Sequence, residues 1–236
     1  MTSIKTGMAL AAGLGTRMRP LTLSRPKALV EVGGKALLDH VLDRFAASGI
    51  ETAVVNVHHF ADQMRTHIAA RAGAPDIIIS DESDLVLETG GGLVKAREWL
   101  GDEPVVVSNI DAIWSEGESR ELNRLMAAFD ASRMDALLLL APKENTLGYD
   151  GAGDFFLYAD GQVGRRGAAK SAPFVYAGTQ ILNPHVLKNY REEPFSLNVV
   201  WNDLLARGRV YGHAMSAFWM HVGNPEAREA AERRLG

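Results

Sequence analysis

The feature that most constrains this chain is an apolar run followed at once by a glycine-rich turn and then by cations. The segment LAAGLGTRMRPLT covers residues 10–22, and PKALV follows at residues 26–30. Backbone N–H groups of such a turn can surround phosphate oxygens. The planar guanidinium of Arg17 can bind two oxygens, and Pro26 stiffens the loop that presents Lys27. The pattern therefore predicts chemistry at a nucleotide phosphate.

Two widespread glycine motifs do not fit this turn. Gly13 and Gly15 are not followed by the Gly-Lys-Ser/Thr element of the common NTPases. Met18 occupies the position of the third glycine in the dinucleotide-binding fingerprint. Either cation alone would be interpreted as a solvated surface residue, but their combination with the turn favours a phosphate site.

The opening segment resembles the start of the sugar 1-phosphate nucleotidylyltransferases. Further motifs, NVHH at residues 56–59, ETGGG at 88–92 and YAG at 176–178, are most similar to the short bacterial N-acetylmuramate 1-phosphate uridylyltransferases. The resemblance covers nearly the full length. It implies that a nucleoside triphosphate and a sugar 1-phosphate are converted into a nucleoside diphosphate sugar and pyrophosphate, with a divalent metal.

Composition limits the alternatives. The chain has 236 residues, no cysteine and a net charge of −4. This length suits one α/β domain, and the charge argues against broad nucleic-acid binding. The missing cysteine excludes disulfides, thiol catalysis and cysteine metal sites. Because neither a secretory signal nor a membrane-spanning apolar run is visible, we expect no membrane association and a cytoplasmic location.

Short aliphatic runs alternate with helical patterns, which predicts a Rossmann-like, three-layer α/β/α fold with a mixed, mainly parallel sheet. After about residue 145 the alternation of strands and helices gives way to turn-rich sequence. A predicted hairpin followed by a strand over 174–182 indicates a sugar-side cap subdomain at about 145–182. The region 1–236 is expected to form a single domain with no C-terminal β-helix, acting as a monomer or small homo-oligomer. Strands are predicted at 7–11, 52–57, 76–80, 104–108 and 136–141.

The resemblance assigns roles at the nucleotide. Arg17 would bind the β- and γ-phosphates, and Lys27 the α-phosphate, where negative charge develops during transfer. Backbone amides of residues 14–16 would support the leaving pyrophosphate, and residues 10–13 would receive the base. Lys35 would contact phosphate or remain a solvated lysine. The nucleotide-binding set is Leu10, Ala11, Ala12, Gly13, Leu14, Gly15 and Thr16.

A metal site is predicted at Asp111, which follows an apolar strand on the ligand side expected of a parallel sheet. A carboxylate there can hold Mg²⁺, although a turn or capping role is the alternative. Relatives commonly read Trp-x-Asp-Val-Gly-Thr-Pro near the carboxyl terminus, whereas residues 219–225 read WMHVGNP. His221 therefore stands where a second carboxylate is expected, either as a ligand that favours Mn²⁺ or Co²⁺, or as a hydrogen-bonding partner of phosphate or metal-bound water.

The sugar side is assigned by resemblance alone. The ETGGG motif is expected to precede a helix over residues 93–100. It would place a carboxylate, a hydroxyl and backbone amides near a polar ligand at the helix start, or else act only as a glycine-rich N-cap. Arg165, Arg166 or Lys170 would supply a cation for the sugar phosphate, or else form a solvated basic loop. The substrate-binding set is Glu88, Thr89, Gly90, Asp154, Tyr176 and Gly178.

Three functions follow from these observations. The first is transfer of uridylyl from UTP to N-acetylmuramate 1-phosphate. The second is guanylyl transfer to mannose or heptose 1-phosphate, since those enzymes share the opening motif. The third, suggested by His221, is a catalytically weakened sensor of nucleotide sugars.

Overall fold

The computed structural model of the chain describes residues 4–115 and 120–235. Within these residues short and long strands alternate with helices. The strands are β1 (Thr6–Leu10), β2 (Glu31–Val32), β3 (Lys35–Ala36), β4 (Thr52–Val57), β5 (Asp76–Asp81), β6 (Val105–Asn109), β7 (Ala112–Trp114), β8 (Ala136–Pro142), β9 (Thr146–Leu147), β10 (Phe155–Leu157), β11 (Val163–Arg165), β12 (Phe174–Leu182), β13 (Val210–Ala214) and β14 (Trp219–His221). The helices are α1 (Leu37–Ala47), α2 (Ala61–Ala70), α3 (Glu88–Leu100), α4 (Glu121–Ala128), α5 (Asn198–Ala206) and α6 (Pro225–Leu235), with 3-10 turns at Thr16–Met18, Lys27–Leu29, Lys143–Asn145 and Pro184–Asn189.

The main sheet is mixed. Strands β5, β4, β1 and β6 lie side by side in parallel, and β12 joins the β6 edge in antiparallel orientation. On its other side β12 pairs with β8, which pairs in parallel with β13. The predicted α/β fold with a mixed sheet is thus confirmed, with its parallel part in these four strands and in the β8–β13 pair.

Alternation along the central strands gives the sheet two apolar faces. Ala53 and Val55 pack in the core cluster that contains α1, whereas Val54 packs in the cluster that contains α3. Successive strand residues point to opposite faces, so a continuous aliphatic run is buried on both sides. Gly7 lets α1 pack closely on one of these faces, since a Cβ at Gly7 would lie 2.6 Å from the Phe45 ring of α1.

Most predicted elements are found within one residue of their predicted ends, but one boundary was wrong. The helix expected over residues 93–100 begins at Glu88, so the three consecutive glycines of ETGGG lie inside α3. Glycine weakens an isolated helix. Tertiary packing outweighs that cost here, because neighbouring groups approach the glycine backbone too closely for any side chain.

The predicted hairpin is formed by β10 and β11, and it pairs with β12 at Phe155 and Phe174. Its turn reaches across to β13 through an isolated bridge between Gln162 and Tyr211. A Cβ on Gly212 would lie 2.6 Å from Val163, so glycine at this position lets the hairpin approach β13. The division into a main domain and a cap over 145–182 stays a prediction. In the part of the chain described here, no helix is long and apolar enough to cross a membrane.

Candidate active site

A cavity of about 400 Å³ opens at the carboxyl ends of β1, β4 and β6. Open α/β sheets bind ligands at this edge because several strand ends and loops converge there. Residues from the predicted nucleotide, phosphate and sugar regions share this one cavity. It is lined by Leu10, Ala11, Ala12, Gly13, Lys27, Asn56, Glu82, Val86, Glu88, Thr89, Asn109, Ile110, Asp111 and Ser196.

The first half of the predicted nucleotide-binding turn lies in the cavity wall. Ala11 and Ala12 donate their backbone N–H groups to Oδ1 of Asn56, at 2.6 and 3.3 Å. These two amides are therefore engaged within the protein. Residues 14–16 lie outside the lining, with the side chain of Leu14 exposed.

Gly15 shapes the return of the loop toward the cavity. Its φ is +61°, and a Cβ there would lie 2.8 Å from the Cβ of Lys27. The hydroxyl of Thr22 donates to the Gly15 carbonyl oxygen at 2.8 Å and closes the loop. Glycine is required both by the left-handed backbone and by the close approach, which lets Lys27 pack against the turn with only 9% of its surface exposed.

Lys27, Asp111 and His221 form a cluster at the phosphate end. The Lys27 ammonium donates to Oδ2 of Asp111 at 2.6 Å, and Nε2 of His221 lies 3.4 Å from the same oxygen. Burial alone would raise the pKa of the Asp111 carboxyl, but Lys27 and His221 together hold that pKa well below its usual range. Asp111 is therefore ionised at neutral pH, and both contacts leave its Oδ1 open.

Strand pairing brings His221 to Asp111. In the β7–β14 pair His221 lies opposite Ala112, and the N–H of Val222 donates to the Asp111 carbonyl at 2.8 Å. Nδ1 of His221 lies 3.3 Å from the Gly148 carbonyl oxygen, which can only accept. Because the Gly148 carbonyl can only accept, this contact keeps a proton on Nδ1. A cation that replaced the contact between Nε2 and Asp111 would therefore meet the Nε2 lone pair, an orientation typical of metal-binding histidines.

The donor set suits a divalent cation that retains other ligands. Across residues 4–115 and 120–235, no group of three or more His, Cys, Asp and Glu side chains could hold a metal. Asp111 offers an ionised carboxylate and His221 an oriented imidazole nitrogen. Mg²⁺ commonly takes one or two protein ligands and completes its shell with phosphate oxygens and water. The two residues therefore fit such an ion bound together with a nucleotide.

The ETGGG motif joins α3 to the segment that precedes α5. Gly90 and Gly91 donate their N–H groups to the Phe195 carbonyl, and Thr89 accepts from the N–H of Leu197 at 2.8 Å. A Cβ on Gly90 would lie 2.3 Å from the Phe195 ring. The first turn of α3 is thus capped within the protein. Glu88 and Thr89 line the cavity, whereas Gly90 is not part of its lining.

The remaining predicted sugar residues, Asp154, Tyr176 and Gly178, lie outside the cavity lining. Asp154 accepts from the Tyr149 hydroxyl at 3.2 Å and from the Tyr176 N–H at 2.9 Å. Burial raises the pKa of Tyr176, so its phenol stays protonated. A Cβ on Gly178 would lie 2.8 Å from the Cβ of Ala112, next to Asp111. Of these three residues, Gly178 also lies against the lining residue Asn109, whose Cβ would be 3.4 Å from a Cβ on Gly178.

The candidate cations outside the cavity differ in their surroundings. Arg17 is exposed in the 3-10 turn beyond Gly15. Arg165 stacks on Phe155 and Trp201 and donates to Asn202 at 3.0 Å, while Arg166 donates to backbone carbonyls of residues 153 and 169. Lys170 is exposed, and Lys35 pairs with Asp43 at 2.5 Å, which favours the surface interpretation for both lysines.

Sequence reasoning missed several lining residues. Asn56 is the penultimate residue of β4 and Glu82 directly follows β5, so the strand-end criterion that identified Asp111 would have found them. Val86 and Ser196 belong to loops whose course only the fold reveals. The missed set is Asn56, Glu82, Val86, Asn109, Ile110 and Ser196.

A family model described as the MobA-like NTP transferase domain matches residues 7–207. The chain belongs to the MobA-like NTP transferase family. It is also 53% identical over 234 residues to the N-acetylmuramate alpha-1-phosphate uridylyltransferase of Caulobacter vibrioides, covering 98% of this chain and 97% of that protein. The resemblance found in the sequence is confirmed, and the chain is a nucleotidyltransferase.

More distant relatives share the fold. The mannose-1-phosphate guanylyltransferase catalytic subunit beta of Dictyostelium discoideum is 28% identical over 228 residues, which cover 93% of this chain and 61% of that protein. HddC from Yersinia pseudotuberculosis complexed with GMP-PN superimposes with a TM-score of 0.78 at 20% identity, over 99% of this chain and all of the other. A UDP-glucose pyrophosphorylase complexed with UDP-glucose superimposes with a TM-score of 0.79 at 15% identity, over 98% of each chain. The two solved structures, one with GMP-PN and one with UDP-glucose, thus share the fold of this chain.

Proposed function

We propose that this MobA-like NTP transferase is an N-acetylmuramate 1-phosphate uridylyltransferase that uses UTP. The observation that carries the proposal is the 53% identity to the Caulobacter enzyme over nearly the whole of both chains. The cavity supports it, because a buried lysine and an ionised carboxylate meet beside a glycine turn, as transfer between two phosphates requires.

In the proposed reaction an oxygen of the sugar phosphate attacks the α-phosphorus of UTP. A bond forms between them, the bond to the β-phosphate oxygen breaks, and pyrophosphate leaves. A phosphate monoester is largely dianionic at neutral pH, so the nucleophile needs no general base. The protein must instead neutralise charge and align the two anions. Lys27 would do so at the α-phosphate and Arg17 at the β- and γ-phosphates.

We assign the metal to Asp111 and His221, with Mg²⁺ or Mn²⁺ as the ion. When bound, the ion would neutralise phosphate charge beside Lys27. Lys27 itself would exchange part of its contact with Asp111 for the incoming α-phosphate. An imidazole in place of a second carboxylate should make softer divalent ions more effective than in relatives with two aspartates.

On the sugar side, Glu88 and Thr89 would contact the substrate directly from the cavity wall. Gly90, Asp154, Tyr176 and Gly178 would hold that wall in place. The region 145–182 would serve as the cap, on a single domain that acts as a monomer or small homo-oligomer. A cytoplasmic location would supply the nucleoside triphosphate, and neither nucleic acid nor membrane enters this function.

The decisive experiment is a panel of four nucleoside triphosphates against several sugar 1-phosphates, with Mg²⁺ or Mn²⁺, measured by pyrophosphate release. We expect the highest kcat/KM for UTP with N-acetylmuramate 1-phosphate. Preferential turnover of GTP with mannose or heptose 1-phosphate would replace the proposal by the guanylyl alternative. Binding of nucleotide without turnover across the panel would favour a sensor.

A further inference from the structure

A buried hydrogen-bond chain joins the ends of three neighbouring strands beneath the nucleotide turn. Asn56 is the penultimate residue of β4, and Glu82 directly follows β5. The two residues are 2% and 1% exposed. The Asn56 side-chain N–H donates to Oε1 of Glu82 at 2.7 Å, while its Oδ1 accepts from Ala11 and Ala12. The second oxygen of Glu82 accepts from the Leu87 N–H at 3.1 Å.

The donors and acceptors of this hydrogen-bond chain can be arranged in only one way. The backbone N–H groups of Ala11 and Ala12 can only donate, so the oxygen of the Asn56 amide faces them and its NH₂ end faces Glu82. Burial raises the pKa of Glu82 above its ordinary value, and the hydrogen bonds donated by Asn56 and Leu87 limit that rise. A Cβ on Gly92 would lie 2.8 Å from Glu82 and 3.0 Å from Asn56, so α3 also packs directly on the pair.

We propose that Glu82 and Asn56 are positioning residues that fix the Ala11–Ala12 backbone for nucleotide binding. This proposal rests on the proposed function, in which residues 10–13 receive the nucleotide. Neither side chain needs to touch a reacting atom. A turn that is held before the nucleotide arrives loses less freedom on binding, so loss of the pair should weaken nucleotide binding more than the chemical step.

Exchange of the two functional groups gives a sharp test. The introduced glutamine of E82Q has one accepting oxygen, so it can accept from the Asn56 NH₂ group or from the Leu87 N–H but not from both. The other donor must then face the NH₂ group of the glutamine. In N56D two carboxylates face each other. In the double variant N56D/E82Q every bond can form again. The introduced aspartate accepts from Ala11, from Ala12 and from the NH₂ group of the introduced glutamine, whose oxygen accepts from the Leu87 N–H.

We expect each single variant to raise KM for UTP roughly tenfold or more, with a smaller change in kcat and in KM for the sugar phosphate. The double variant should return to within about threefold of the wild-type KM. The matched control is D81N, which removes the neighbouring exposed charge and should leave KM unchanged. Unchanged KM in both single variants, or no recovery in the double variant, would overturn the proposal. If one single variant does not fold, the KM of the other single variant is compared with that of the double variant, and the same two outcomes decide.

Hydrogen exchange at the Ala11 and Ala12 amides separates this proposal from the proposed function. These amides should exchange faster in E82Q and regain protection in N56D/E82Q, whatever the reaction is. If the wild-type protein shows no turnover but the variants show these exchange rates, the proposed function is wrong and the positioning role of the pair stands. Equal protection in wild type and E82Q would reject the pair even in an active enzyme.

Discussion

The replacement of Gly15 by alanine tests the most specific statement about the phosphate loop. Gly15 has φ +61°, and its Cβ position lies 2.8 Å from the Cβ of Lys27 and 3.1 Å from Cγ2 of Thr22. A left-handed backbone costs a residue with a Cβ about 1–2 kcal/mol. Forcing a methyl group into a packed contact costs about 1–3 kcal/mol more. We therefore expect G15A to lower the free energy of unfolding by about 2–5 kcal/mol.

Two other glycines provide matched controls for this prediction. Gly34 has φ +71° with no atom within 4 Å of its Cβ position, so G34A should cost only the conformational part, about 1–2 kcal/mol. Gly13 has open space at its Cβ position and no positive φ, so G13A should leave stability nearly unchanged.

Equilibrium unfolding in urea, with turnover measured on the same preparations, distinguishes the three variants. Because Lys27 must move to admit the methyl group, G15A should also lower kcat/KM at temperatures where it remains folded. A G15A protein no less stable than G34A would refute the close contact with Lys27. A G15A protein with lower stability but wild-type kcat/KM would refute the link between that contact and catalysis.

Three further predictions concern charge. K27M should lower kcat by about 100-fold or more through loss of phosphate neutralisation, whereas K35M should not; equal effects on kcat in steady-state assays would contradict the assignment. H221D should lower the ratio of Mn²⁺- to Mg²⁺-supported kcat/KM, and an unchanged ratio would show that His221 is not a ligand. Hydrogen bonds from Ser83 and Arg65 lower the pKa of Asp81 to about 2, below its unfolded value, so its stabilising contribution is present above about pH 4 and lost as pH falls toward 2. Urea unfolding between those pH values should show a shallower loss of stability in D81N than in wild type.

The fold could be predicted well from the sequence because local signals and tertiary structure agree along the central strands. Aliphatic runs such as Thr52–Val57 and Phe174–Leu182 were located with the bounds that the structure has. The exception was α3. Its three glycines oppose a helix locally, and only contacts with residues remote in sequence explain why a helix forms there. Residues 193–195 approach Gly90 and Gly91, and the Asn56–Glu82 pair approaches Gly92.

The candidate site could be predicted in part. Five of the predicted residues that line the cavity are Gly13, Lys27, Glu88, Thr89 and Asp111. The glycine turn with its cation indicated Gly13 and Lys27, a strand end indicated Asp111, and the family resemblance indicated Glu88 and Thr89. The pairing of Asn56 with Glu82 could not be read from the chain, since a polar residue at a strand end does not reveal its partner.

The sequence by itself determined the alternation of strands and helices, and it predicts a phosphate-binding turn in residues 10–17. These properties depend on periodicity and on backbone conformation, both of which are local. Only the tertiary structure decided that Lys27, Asp111 and His221 meet, because that depends on the return of the loop at Gly15 and on the register of β14 against β7. It also decided the direction of the Asn56 amide, since the orientation of a buried hydrogen bond is set by the groups that surround it.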